Sequence, residues 1–177
     1  MLTLAPISKV AGLTTEERAQ ILDLLFEPCQ QLHTLSVSLL QERSFASYGE
    51  LIDAVGQQLK ALCESRLESD NKWLEAILCA HPRLGEKKVE SEQSRKEQAQ
   101  LNQGGEEQAT MLAEMNRTYE RTFPGLRYVV FVNGRSRPVI MADMQKRIDR
   151  GDIKQEKQDA IEAMCQIASD RARKLKA

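Results

Sequence analysis

His81 is the first residue whose type and position indicate chemistry. It follows an apolar helical stretch, and the next residue, Pro82, disfavours continuation of the helix. Carbonyl groups at a helix C-terminus favour an imidazolium, so the position alone predicts a raised pKa and a role in proton transfer. The alternative is a histidine that only caps the helix by binding its last carbonyl groups.

A second group of chemically useful residues is Ser94, Glu97 and Gln98. Their spacing places a hydroxyl, a carboxylate and an amide on one face of a helix. Only Val89 and Ala99 are aliphatic between residues 87 and 100, so this helix lacks the apolar stripe that packs a helix against a core. The pattern indicates either the polar wall of a pocket or a solvated surface helix.

A third candidate site lies at the turn that contains Gly134. An extended apolar run over 128–132 leads into this turn, and a helix begins directly after it. Exposed backbone amides, together with Arg135 or Arg137, would bind a carboxylate. We expect Arg135 to point inward, because glycine permits the tight turn, and Arg137 to face solvent from the first turn of the helix. A turn with two surface arginines is the alternative.

Helices must position these residues, because helix signals dominate the sequence. Capping boxes begin at Thr14 and Ser47, and prolines or glycines mark several helix ends. Together with apolar spacing they predict helices over about 14–26, 29–42, 47–62, 69–78, 91–101, 106–121, 136–151 and from 152 onward. The β-like run at 128–132 has no predicted partner strand. We therefore predict one compact all-α domain of seven to eight helices across residues 1–177.

Composition limits the partners of such a domain. The 177 residues carry 25 basic and 26 acidic side chains, and the net charge of −1 gives no electrostatic reason to expect nucleic acid or an anionic membrane. No apolar stretch approaches the ~18 residues that a membrane span needs. We therefore expect a small-molecule substrate, whose negative charge one or two local arginines would hold, and neither a nucleic-acid nor a membrane partner.

The cysteines and histidines do not form a metal-binding pattern. The four cysteines lie far apart without a C-x-x-C pair, and the chain has two histidines, so we expect no metal site. The N-terminal residues lack the pattern of a signal peptide, and the last three residues are not a peroxisomal address. We expect a cytoplasmic location, with peroxisomal import alongside another protein as the alternative.

Taken in order, the motifs resemble those of the OHCU decarboxylase family, which converts 2-oxo-4-hydroxy-4-carboxy-5-ureidoimidazoline (OHCU) to (S)-allantoin in urate degradation. They are His81-Pro82-Arg83-Leu84-Gly85-Glu86, Ser94-x-x-Glu97-Gln98, Asn116-x-x-Tyr119-x-x-x-Phe123 and Gly134-Arg135-Ser136. The resemblance spans residues 81–136 and implies an all-helical fold that usually forms homodimers. It implies His81 and Glu97 as the catalytic pair, with the substrate lined by Pro82, Ser94, Gln98 and Arg135.

The reaction that this resemblance implies needs no cofactor. The carbon that loses CO₂ lies next to a ring C=N bond, which accepts the electron pair, so the substrate supplies its own electron sink. A histidine with a pKa near neutrality would take or share the hydroxyl proton. Glu97 would orient the imidazole or bind the ureido N–H groups, while Arg135 and nearby backbone amides would hold an anionic oxygen.

Two other functions compete with the decarboxylase. A non-enzymatic helical interaction domain would use the polar helix at 90–101 as a partner surface. It predicts His81 and Glu97 on opposite faces, more than ~10 Å apart, whereas paired catalytic groups must reach one substrate. A metal-dependent amidohydrolase would need more histidines than the chain has.

Overall fold

The computed structural model describes residues 3–86, 91–99, 101 and 104–175. After a 3₁₀ helix at Ile7–Gly12, these residues form the α-helices α1 Thr15–Leu25, α2 Gln30–Glu42, α3 Tyr48–Glu64, α4 Glu68–Leu78, α5 Glu92–Gln98, α6 Glu106–Thr122, α7 Arg137–Arg150 and α8 Ile153–Lys174. The described residues contain no strand, so the predicted all-α fold is confirmed.

Side-chain caps begin several helices where the sequence predicts them. Thr14 forms a complete capping box with Glu17 ahead of α1, and the Ser47 side chain accepts a hydrogen bond from the backbone of Glu50. The helix predicted over about 69–78 begins one residue earlier, at Glu68, and Asp70 in its first turn accepts a hydrogen bond from Ser65 Oγ at 2.5 Å. The helix predicted over 91–101 is also shorter, since α5 ends at Gln98.

The core is built around α3 and α8, the helix pair with the most extensive contact. Gly56 permits this close approach, because a Cβ at that position would lie 2.9 Å from the Sγ atom of Cys165. Both helices bury apolar stripes, which include Leu51, Ile52, Val55 and Leu59 on α3 and Ile161, Met164 and Ala168 on α8. The last turns of α8 are therefore firmly placed, and they carry the charged residues of the candidate site.

The β-like run at 128–132 is an extended segment between α6 and α7. It pairs with no strand in the described part of the chain. The segment is nevertheless part of the core, since Tyr128, Val129 and Val132 are buried. It ends in a turn where Asn133 and Gly134 both have positive φ angles, 47° and 71°. The segment therefore runs from the core to the surface and forms one side of a pocket.

Candidate active site

A pocket of about 250 Å³ lies between the loop after α4, one face of α5, the extended segment and the end of α8. The residues that the sequence singled out come together here, since the pocket is lined by His81, Pro82, Ser94, Glu97 and Gln98. The three motif residues of the seven-residue helix α5 therefore line the same pocket as His81, which lies in the loop before α5. Arg135 is not among the lining residues.

His81 is buried at the base of this pocket, with an exposed fraction of 5%. Neither ring nitrogen has a hydrogen-bond partner within the described residues. Burial, and then the positive charge of Arg171, lower the pKa of His81 to about 3. The raised pKa expected from the helix C-terminus is therefore wrong, because desolvation of the imidazolium outweighs the dipole. The imidazole is therefore neutral near pH 7.

Gln98 joins α5 to the loop that follows His81. Its Oε1 atom accepts a hydrogen bond from the backbone N–H of Gly85 at 3.0 Å, and its Nε2 group donates to the carbonyl of Arg83 at 3.3 Å. Asn116 of α6 supports the same loop by donating to the carbonyl of Leu84 at 3.0 Å. Gln98 therefore lines the pocket, and its side-chain amide holds the loop after His81 in place.

The structure adds a residue that the sequence analysis missed, Arg171 near the end of α8. Its guanidinium binds Glu97 through two hydrogen bonds, from Nε to Oε1 at 2.8 Å and from Nη2 to Oε2 at 3.0 Å. Arg171 also binds Glu27 at 2.8 Å and Ser94 Oγ at 3.1 Å, and Ser94 donates its hydroxyl to Glu27. One guanidinium is thus shared by two carboxylates, a geometry that holds α5 against α8 and the turn between α1 and α2.

This ion-pair cluster changes the interpretation of Glu97. The carboxylate does not bind the imidazole of His81, which has no partner among the described residues, because Arg171 occupies it. A sequence signal for Arg171 exists: it continues the apolar stripe of α8 that contains Met164 and Ala168, where a charged residue is unusual. Glu27 lies between two helices and carries no comparable signal.

The two arginines at the Gly134 turn are oriented opposite to the prediction. Arg135 is exposed, and its guanidinium folds back to donate hydrogen bonds to the carbonyls of Phe131 at 2.5 Å and Val132 at 3.1 Å. Arg137 is buried instead and donates to the carbonyl of Leu101. The positive φ angles of the turn direct Arg135 back over the preceding segment, away from the pocket. The lysines that line the pocket are Lys96 and Lys174.

Two features of the described residues bear on other classes of function. Within the described residues, no group of three or more His, Cys, Asp or Glu side chains is arranged to hold a metal ion. Over the same part of the chain, every helix is too short or too polar to cross a bilayer.

Fold and site together define a small helical protein with a pocket lined by a buried, neutral histidine that has no hydrogen-bond partner among the described residues. The family model of OHCU decarboxylase matches residues 11–173, which extends the resemblance from the central motifs to the helices on either side. The chain therefore belongs to the OHCU decarboxylase family, a family of decarboxylases in urate degradation. A search of curated proteins found no significant match.

Proposed function

We propose that the protein converts OHCU to (S)-allantoin without a cofactor. The observation that carries this proposal is the pocket itself, in which one cavity is lined by the carboxylate of Glu97 and by His81, whose ring has no hydrogen-bond partner in the described part of the chain. The interaction-domain alternative predicted these side chains on opposite faces, so their shared cavity favours an enzyme. The cavity of about 250 Å³ also suits a substrate the size of one ureido-substituted ring.

In the proposed reaction, the bond between the hydroxyl-bearing ring carbon and the carboxylate breaks, and CO₂ leaves. The electron pair forms a double bond to the neighbouring carbon, and the C=N electrons move to the ring nitrogen, which takes a proton. The hydroxyl group then loses its proton and becomes a carbonyl, while the neighbouring carbon gains a proton. The balance is replacement of CO₂ by one proton, and no oxidant or reductant is needed.

His81 is the proposed carrier of the hydroxyl proton. In the free protein its pKa of about 3 makes it a weak base at pH 7. A bound anionic carboxylate would add negative charge next to the ring and raise this pKa, so the substrate itself would activate the base. The imidazole needs no rearrangement to respond, because neither nitrogen is engaged within the described residues.

Glu97 and the remaining lining residues would hold the substrate. The carboxylate of Glu97, fixed by Arg171, would accept hydrogen bonds from the ureido N–H groups. Ser94 and Gln98 would contribute a hydroxyl and an amide on the same face, and Pro82 an apolar contact. For Arg135, implied by the family resemblance as a substrate ligand, we propose an indirect role, because its guanidinium holds backbone carbonyls of the pocket wall.

A coupled assay tests the proposal. Urate is oxidised, its first product is hydrolysed, and the protein is added while the ultraviolet absorbance of OHCU and the optical activity of allantoin are followed together. We expect accelerated loss of OHCU and an excess of the (S) enantiomer, since uncatalysed decay gives racemic product. Unchanged OHCU decay with racemic allantoin, under conditions where the protein is folded, would refute the proposed activity.

We further propose that the protein is a homodimer in the cytoplasm, as the family resemblance and the sequence signals imply. Sedimentation equilibrium over a range of protein concentrations tests the dimer, and a single species at the mass of one chain would contradict it. Microscopy of a fluorescent fusion tests the location, and punctate signal that coincides with a peroxisomal marker would favour the alternative.

A further inference from the structure

A buried ionic cluster, which the proposed chemistry does not use, lies behind the extended wall of the pocket. Its centre is Glu156, whose side chain is fully buried near the start of α8. Arg147 Nε donates to both carboxylate oxygens at 3.0 Å, Arg150 donates to one of them at 2.8 Å, and Tyr119 donates its hydroxyl. A carboxylate removed from water is costly unless it is paired in this way, so the cluster's position calls for an explanation.

Arg147 connects this cluster to the pocket wall. Its Nη1 group donates to the carbonyl of Val129 at 3.1 Å, and its guanidinium lies 4.7 Å from the centre of the Tyr128 ring. Tyr128 in turn donates its hydroxyl to Asp143, one helical turn before Arg147 on α7. One arginine therefore contacts both the backbone and a side chain of the wall, while Glu156 fixes the arginine.

The backbone of the wall forms few hydrogen bonds of its own. The peptide N–H groups from Tyr128 to Val132 donate no hydrogen bond within the described chain, because the segment is extended but joins no sheet. Its carbonyls are bound mainly by side chains: Arg147 binds Val129, and Arg135 binds Phe131 and Val132, whose carbonyl also accepts the backbone N–H of Arg135 at 3.0 Å. A segment without ladder hydrogen bonds depends on such contacts, together with the burial of its apolar side chains, to keep its shape.

The Asn116-x-x-Tyr119-x-x-x-Phe123 motif, which has no part in the proposed reaction, has a structural role. Tyr119 binds Glu156 and packs against Tyr128, with ring centres 5.5 Å apart. Asn116, one turn earlier on α6, supports the loop after His81 through the carbonyl of Leu84. The same helix thus supports two sides of the pocket, and the ionic cluster belongs to the side formed by the extended wall.

We propose that Arg147, held by Glu156, is a positioning residue that fixes the Tyr128–Val132 wall and thereby sets the orientation of the substrate ring. This inference rests on the proposed decarboxylation, in which a planar intermediate is protonated from one face. A ring held against a fixed wall presents one face to the proton donor. If the wall is displaced, the ring can bind in either orientation, and both enantiomers form. The reaction also becomes slower, because small displacements of reacting groups reduce the rate strongly.

The test compares Arg147→Met and Arg147→Lys with the matched control Arg150→Gln. The control removes an ion pair to the same Glu156, but Arg150 does not touch the wall. We expect Arg147→Met to lower kcat/KM by about 10²-fold and to reduce the enantiomeric excess of allantoin. Arg147→Lys should recover part of both, since it keeps the charge without the forked geometry, and Arg150→Gln should change neither appreciably. Calorimetric binding of (S)-allantoin gives a readout that does not depend on turnover.

A purely structural role predicts a different pattern. If the folded Arg147 variants show a lower Tm but unchanged enantiomeric excess and unchanged affinity for (S)-allantoin, the inference is overturned. Arg147→Met leaves Glu156 buried without its main partner, so Arg147→Met/Glu156→Gln, which removes both charges of the pair, provides the same test without an unpaired buried carboxylate. Should neither fold, Arg147→Lys decides by the same measurements. Failure of the unmodified protein to consume OHCU would refute the proposed function instead, and calorimetry would still test the wall.

Discussion

Burial of neutral His81 makes the stability of this protein depend on pH in a way that one substitution should remove. The pKa of His81 is about 3 in the folded protein, against about 6.5 for histidine in an unfolded chain. Between these values the unfolded state binds a proton that the folded state does not, so the free energy of unfolding falls as the pH falls. From pH 7.5 to pH 5 the loss from this residue is about 2 kcal/mol, at about 1.4 kcal/mol for each pH unit below 6.5.

Urea unfolding of the unmodified protein and of His81→Asn at both pH values measures this contribution. The loss between pH 7.5 and pH 5 should be about 2 kcal/mol smaller in the variant, since the difference of differences removes all other titrating groups. His33→Asn is the control, because His33 is partly exposed and paired with Asp23 at 2.5 Å, and it should keep the contribution of His81. An equal loss in the unmodified protein and in His81→Asn would show that His81 is not buried as a neutral group.

Further predictions concern catalysis and the ion-pair cluster. His81→Asn and Glu97→Gln should each lower kcat by on the order of 10²-fold in the coupled assay, and near-normal turnover in the folded variants would contradict their assignment. Arg171→Gln leaves Glu27 buried without its charged partner and should reduce the free energy of unfolding by about 3–5 kcal/mol, measured in urea; a loss below ~1 kcal/mol would mean that the pairing is not maintained in solution. Arg135→Gln should change kcat/KM far less than Arg171→Gln. The opposite order would show that Arg135 contacts the substrate. Activity should survive dialysis against EDTA, and loss of turnover restored by zinc would refute the metal-free mechanism.

Local chemistry determines the parts of the structure that the sequence predicted well. The cap at Thr14 depends on residues within one helical turn, and the common face of Ser94, Glu97 and Gln98 follows from helical periodicity alone. The family resemblance added the identity of His81 as a pocket residue, which its position after a helix left undecided.

The predictions that were wrong concern residues whose surroundings depend on the tertiary fold. The pKa of His81 moves down because tertiary packing excludes water, and no sequence pattern around the residue reports that burial. Glu97 is occupied by Arg171, which lies 74 residues away along the chain. The orientation of Arg135 depends on the backbone angles of a two-residue turn, where a small difference exchanges the inward and outward directions of neighbouring side chains.

The Glu27–Arg171 pair also has a consequence for how the chain folds during synthesis. The two residues are 144 positions apart, so the contact closes a loop that contains nearly every other element of the fold. A growing chain can form its early helices as they emerge, but Glu27 and Glu97 have no guanidinium to share until α8 has been made. A nascent chain that stops before Arg171 would hold two unneutralised carboxylates beside Ser94 and no settled position for α5. The shared ion pairs of Glu27 and Glu97 can therefore form only after α8 has been synthesised.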